Sequence, residues 1–122
     1  MLGMKPSAPE FIYKIFTAKQ WQGAENSTHF PIAPIDESDG FIHLSTALQL
    51  AKTLELYFFG QSNVEILAIS TKKIAKNLRW EESRGGDLFP HHYGPLQKTS
   101  IEWQLTFDVP NSGIVELPAK IT

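Results

Sequence analysis

Two short windows gather most of the proton-handling chemistry in this chain. They are Gly40-Phe41-Ile42-His43-Leu44-Ser45 and Leu88-Phe89-Pro90-His91-His92-Tyr93-Gly94-Pro95-Leu96. Three of the four histidines fall inside them. Folding alone seldom demands an ionisable ring among apolar, Gly and Pro residues, so both windows are candidate site segments.

His43 falls where a short apolar run meets the start of a helical pattern. Unpaired amides at a helix start, beside the hydroxyls of Ser45 and Thr46, can hold a phosphate, carboxylate or amide oxygen. A histidine just upstream can donate to a sugar hydroxyl at the same place. The competing reading is a core histidine whose nitrogens bond to backbone. His91 and His92 are adjacent, so in extended chain they point to opposite sides and one of them lines a given pocket. His91 is the favoured one. Pro90 and Pro95 stiffen the segment and Gly94 lets it turn. Alternatively the segment is a rigid loop in which Tyr93 is the hydrophobic anchor.

Glu81 and Glu82 follow Trp80 on an apparent strand, which turns one toward the site and the other to solvent. Zinc accepts His and carboxylate ligands, so His43, His91 and one glutamate form a chemically allowed set. No H-E-x-x-H or comparable spacing supports it, and no metal is expected. Tyr57, Phe58 and Phe59 are consecutive, so they cannot all face a core, and one of them can stack on a planar ring. There is no G-x-G-x-x-G and no G-x-S-x-G, and Arg84-Gly85-Gly86-Asp87 reads as a turn.

The elements that must position these residues follow from periodicity and punctuation. Phe11 to Phe16 is aromatic and β-branched and predicts a strand. Thr17 caps a short helix over 18–25, with Trp21 as buried anchor. Residues 26–40 hold two prolines with Asn, Ser, Asp and Gly and predict a long surface loop of the kind that closes over ligands. Phe41 to Leu44 reads as a buried strand. A helix capped by Ser45 or Thr46 then runs to about Phe59, with Leu48, Leu50, Ala51, Leu54, Tyr57 and Phe58 as its apolar stripe and Gly60 as its C′ residue. Val64 to Ser70 predicts a central strand, followed by a short turn or helix over Thr71 to Lys76. Leu78 to Glu82 predicts another strand, and Ser83 to Asp87 a turn. The segment around His91 reads as irregular because of its prolines. Ile101, Trp103, Leu105 and Phe107 alternate with polar residues, the period of a half-buried strand. A last strand is expected at Ile114 to Leu117. Helices early and strands late favour α+β over a doubly wound parallel sheet.

The 122 residues suit one domain, read as an N-terminal extension over 1–10 and a single domain over 11–122. A formal charge of −2 gives no general attraction to nucleic acid or an anionic membrane. Lys72, Lys73, Lys76 and Arg79 read as a solvated face. The absence of cysteine excludes disulfides and thiolate chemistry and fits a reducing compartment. No apolar run approaches the ~20 residues of a membrane span, and no secretory leader is legible, so a cytoplasmic location is expected. The oligomeric state is open.

Taken together, the strand ending in Ile15-Phe16-Thr17 with Trp21 after it, Gly40 to Ser45, Leu78-Arg79-Trp80-Glu81, and Leu88 to Leu96 closely resemble the uncharacterised bacterial DUF952 family, over about Phe11 to Trp103. The resemblance implies an α+β domain similar to the ADP-ribosyltransferase fold, with a split, mixed or antiparallel sheet, a few helices and a cleft for a nicotinamide dinucleotide. It implies that His43 contacts a ribose of NAD, that the backbone at Leu44 holds the nicotinamide amide with help from Ser45, and that Tyr57 or Phe58 stacks on the ring. Tyr93 completes the expected cofactor-binding set. His91 falls at or near the position where transferases keep a catalytic glutamate. A histidine there acts as a base or hydrogen-bond partner rather than as a fixed anion. Leu44 stands where a small residue or Cys is expected and His92 where an apolar one is.

The expected ligand is therefore NAD or an ADP-ribose-like nucleotide, with His43 and His91 as catalytic residues for cleavage or transfer at the N-glycosidic bond. Two alternatives compete with it: a non-catalytic nucleotide- or metabolite-binding module, and a metal-assisted hydrolase that adds Glu81 or Glu82 to the histidines.

Overall fold

The computed structural model describes residues 8–112 and 114–121, so most of the expected N-terminal extension lies outside the described residues. Strands β1 (Phe11–Phe16), β3 (Val64–Ser70) and β6 (Ile101–Phe107) form one antiparallel sheet in the order β1-β3-β6. The buried apolar run Ile66 to Ile69 of β3 belongs at its centre, because both faces there are covered. Val64, Ile66 and Ala68 join Tyr13 and Ile15 of β1 on one side. Leu67 and Ile69 join Ile12 and Phe16 on the other. β6 lies at an edge and alternates between half-buried and exposed residues, as its period of two requires.

Helix α1 (Ala18–Gly23) opens on a capping box between Thr17 and Gln20 and stops two residues before the expected Glu25. Trp21 is half-buried rather than a core anchor, its ring stacked on Phe16 at 5.8 Å. Helix α3 (Ala47–Tyr57) opens on a second capping box, between Thr46 and Gln49. It buries Leu50 and Leu54 completely against the β1–β3 layer. The expected stripe is too wide, since Leu48 is 97% exposed and Tyr57 61%. A helix packed along one narrow seam leaves its flanking apolar positions in solvent. The helix is capped at Phe58, so Phe59 holds C′, and Gly60, left-handed at φ 70, is the residue after it rather than the expected C′.

Strands β2 (Ile42–His43), β4 (Leu78–Glu82) and β5 (Leu88–His92) form the second antiparallel sheet, in the order β2-β5-β4. The segment expected to be irregular is thus a strand with Pro90 inside it. In an antiparallel strand the nitrogen and carbonyl of one residue point to the same edge. The Pro90 carbonyl accepts from the Leu44 N–H at 3.0 Å, so its missing donor faces the very end of two-residue β2. The five-residue ladder to β4 is undisturbed. The domain is α+β with two three-stranded antiparallel sheets, and among the described strands no pair is parallel. An isolated bridge joins the sheets, with Tyr13 N–H to the Ser45 carbonyl at 2.8 Å and Ser45 N–H to the Tyr13 carbonyl at 2.9 Å.

Helix α2 (Pro34–Asp39) lies within the stretch expected to be loop throughout. Pro34 takes the first helical position, where its missing N–H costs nothing, and Gly40 ends the helix at φ 80. Helix α4 (Thr71–Ile74) and a 3-10 turn at Ala75–Asn77 connect β3 to β4. The strand expected at Ile114 to Leu117 does not form. Val115 and Ile121 anchor this segment in the core beside Leu50 and Leu54 without a ladder. No described helix is long and apolar enough to cross a membrane.

Candidate functional site

β2 and β5 put His43 directly opposite His91, their ring centroids 5.4 Å apart. Phe41 lies against both, stacked on His91 at 4.1 Å and tilted to His43 at 4.6 Å. Alternation along β5 turns His92 to the other face, where its Nδ1 meets the Gly94 carbonyl at 3.0 Å and it borders a separate hollow beside Lys76 and Pro95.

Each paired histidine is oriented by a carboxylate. Asp36, buried on α2, accepts from both the His43 backbone N–H (3.1 Å) and His43 Nδ1 (2.7 Å) through Oδ1. Its Oδ2 accepts from Lys14 Nζ at 2.7 Å. Lys14 also donates to the His43 carbonyl at 3.0 Å, so the pair fixes backbone and ring together. Burial by itself raises the Asp36 carboxyl, but the bonds from His43 and the charge of Lys14 outweigh it and hold the group below its ordinary value. Burial pushes the Lys14 ammonium down, against the opposing pull of Asp36. Nε2 of His43 lies 2.9 Å from Oδ2 of Asp39, at the end of α2.

On β4, Glu81 reaches diagonally across the hairpin to His91, with Oε1 2.9 Å from Nδ1. The same oxygen accepts from the Tyr93 hydroxyl at 2.7 Å. The bonds from Tyr93 and His91 hold the Glu81 carboxyl below its ordinary value, and the Tyr93 phenol is raised by the bond it donates. With Nδ1 held by Glu81, Nε2 is the nitrogen His91 can present to a ligand. Glu82 is exposed.

These groups open on a cavity of about 570 Å³, within the usual range for small-molecule sites. His43, Leu44, Ser45, Tyr57 and His91 all line it, as do Phe58 and Asp39. Tyr93 does not; it sits behind, against Phe41 and Glu81. The N–H groups of His43, Leu44 and Ser45 are taken by Asp36, Pro90 and Tyr13, which leaves the Leu44 contact to its side chain and carbonyl. The Thr46 hydroxyl is occupied in its capping box, and Ser45 Oγ faces Thr53 Oγ1 at 3.2 Å. Among the described residues no group of three or more His, Asp or Glu is placed to hold a metal ion.

The family model described as "Protein of unknown function (DUF952)" matches residues 15–104, about three quarters of the chain. This chain belongs to the DUF952 family. The crystal structure of protein CC0527 from Caulobacter crescentus superposes on this DUF952 chain with a TM-score of 0.79 at 36% identity, covering 85% of this chain and 91% of that one. The solution NMR structure of CC0527 gives 0.75 at 36% identity, over 87% and 91%. No curated protein matches the sequence.

Several residues of the DUF952 site escape a reading of motifs. Asp36 and Asp39 lie in a helix of only six residues, too short to show a period. Lys14 offers the signal that could have found them, since a lysine inside Phe11–Phe16, buried on nearly every side, requires an anion nearby. Glu81 is legible as one of two candidates, and only the β4–β5 register selects it. Phe41 is legible only as part of the expected strand Phe41 to Leu44, and Thr53 carries no sequence signal of its own.

Proposed function

We propose that the cavity binds NAD or an ADP-ribosyl nucleotide and that the His91–Glu81 pair activates a nucleophile at the N-glycosidic bond. The observation that carries this reading is the pair of carboxylate-oriented histidines, 5.4 Å apart, lining one cavity with the aromatic rings of Tyr57 and Phe58. The split of the strands into two sheets around a cleft, with a histidine at a strand end, agrees with the ADP-ribosyltransferase likeness that the motifs imply. His43 positions a ribose hydroxyl through Nε2 once the ligand takes the place of Asp39 there, and Tyr57 or Phe58 stacks on nicotinamide. In the hydrolytic form, the oxygen of water bonds to C1′ of the ribose as the bond from C1′ to nicotinamide breaks. Nicotinamide leaves with the bonding pair, and Nε2 of His91 takes the proton while Glu81 stabilises the ring that forms.

The test is thermal stability against NAD, ADP-ribose and nicotinamide, followed by an assay for released nicotinamide. NAD should raise the melting temperature saturably, and His43→Ala should abolish the shift. His91→Ala should retain binding and lose about 10²–10⁴-fold in nicotinamide release. A binding module without turnover is the second reading, favoured because Asp39, a carboxylate of the cavity wall, is turned toward His43. Saturable stabilisation with no nicotinamide released would select it. No shift with any of these compounds would end both nucleotide readings.

A further inference from the structure

We infer that the cavity holds an anionic group of its ligand, a phosphate or a carboxylate, at Arg84. For the nucleotide this rests on the reading above; the charge argument needs only the cavity. Arg84 opens the turn between β4 and β5. The turn is fixed by bonds from Ser83 N–H to the Asp87 carbonyl and from Gly86 N–H to the Ser83 carbonyl, both 2.9 Å. Gly85 and Gly86 are left-handed there, at φ 69 and 81, which a side chain would strain.

The guanidinium lies over the buried ring of Phe89, 5.0 Å from its centroid, and lines the cavity. Nη1 and Nη2 both donate to Thr53 Oγ1, at 3.3 and 3.4 Å. Thr53 is a neutral partner and is already saturated. Its hydroxyl donates to the Gln49 carbonyl at 3.1 Å, and its lone pairs face Ser45 and Arg84. Two of the five N–H groups of Arg84 are therefore used, and no carboxylate pairs with it among the described residues. Lys14, the other Lys or Arg of the cavity wall, is neutralised by Asp36. A planar fork held by stacking and one neutral hydrogen-bond partner, with its charge unmatched, is prepared for an oxyanion.

The experiment follows the Arg84 side-chain NMR signal and the melting temperature while pyrophosphate, malonate, ADP-ribose or adenosine is added to the wild type, Arg84→Gln and Arg84→Lys. Pyrophosphate distinguishes a phosphate subsite, malonate a carboxylate one. At least one anion should perturb Arg84 and bind about ten- to a hundredfold more weakly to Arg84→Gln, with Arg84→Lys between them. Adenosine, which carries no anion, should not respond to the substitution. Arg84-dependent binding of pyrophosphate without binding of ADP-ribose would retain the subsite and remove the nucleotide. Equal ADP-ribose affinity in the wild type and Arg84→Gln would retain the nucleotide and overturn the subsite. Failure of pyrophosphate, malonate and ADP-ribose alike to perturb Arg84 would overturn it as well.

Discussion

Glu81 and His91 face one another diagonally across the β4–β5 hairpin, the carboxylate oxygen 2.9 Å from Nδ1 and shared with the Tyr93 hydroxyl. The register alone produces this meeting. Arg79 pairs with His91, so Glu81, two residues on, shares the same face. The pair makes His91 a ring of defined tautomer with its far nitrogen toward the cavity.

Replacing Glu81 by Ala should release that tautomer. In ¹⁵N NMR the wild-type His91 ring should show protonated Nδ1 and unprotonated Nε2, and the variant a mixture. Tyr93→Phe should raise the Glu81 carboxyl toward its ordinary value, because the phenol is the larger of the influences holding it down. An unchanged Glu81 titration in Tyr93→Phe would contradict this account.

Lys14 and Asp36 form a buried ion pair, 5% and 3% exposed. Asp36→Ala leaves an ammonium buried without its anion and should cost about 3–5 kcal/mol in denaturant unfolding. Lys14→Met combined with Asp36→Leu should recover most of that loss while leaving His43 unoriented. If the single variant is as stable as the wild type, the pair does not hold α2 in place.

Acid should weaken the fold in two stages. Burial lowers the folded-state pKa of His92, so the unfolded chain binds the proton more readily. Stability from this source is intact above the ordinary histidine range, about pH 6.5, and declines as pH falls toward the folded value. Asp36, also lowered on folding, contributes stability above the ordinary carboxyl range that disappears as pH drops through its folded value. His92→Asn, which keeps a donor for the Gly94 carbonyl, should flatten the upper stage and leave the lower one. A wild-type protein equally stable at pH 7 and pH 5 would refute the first stage.

Leu54 and Leu48 lie on one helix in opposite environments. Leu54→Ala should destabilise by about 2–5 kcal/mol, as a completely buried leucine does. Leu48→Ala, at a position 97% exposed, should fall within about 0.5 kcal/mol of the wild type. A large effect at Leu48 would mean that this face is covered in solution.

Strands β1, β3 and β6 and helix α3 are readable from the sequence because each repeats one physical requirement over six or more residues. The divergence of His91 and His92 follows from strand geometry in the same way. β5 is hidden because Pro90 signals a broken ladder, and only the shortness of β2 makes that harmless. α2 is hidden because Pro34 and Gly40, which start and stop a helix, are also the marks of a loop. Asp36 is harder still, since one of its partners, Lys14, lies 22 residues earlier in the chain. Ile114 to Leu117 misleads in the opposite direction. Apolar residues there seek the core, and burial of Val115 needs no strand.

Ser45 is the point where three elements meet. Its backbone is sewn to Tyr13 of β1, it lies two residues past the end of β2, and its hydroxyl touches Thr53 of α3. The walls of the cavity are thus pinned at one small residue, beside the apolar cluster that Ile12 and Phe16 of β1 share with Ile42 and Leu44 and the bond from Lys14 to the His43 carbonyl. A guest that wedges them apart would load this junction, and amide exchange at Tyr13 and Ser45 would act as the gauge of how far the domain breathes.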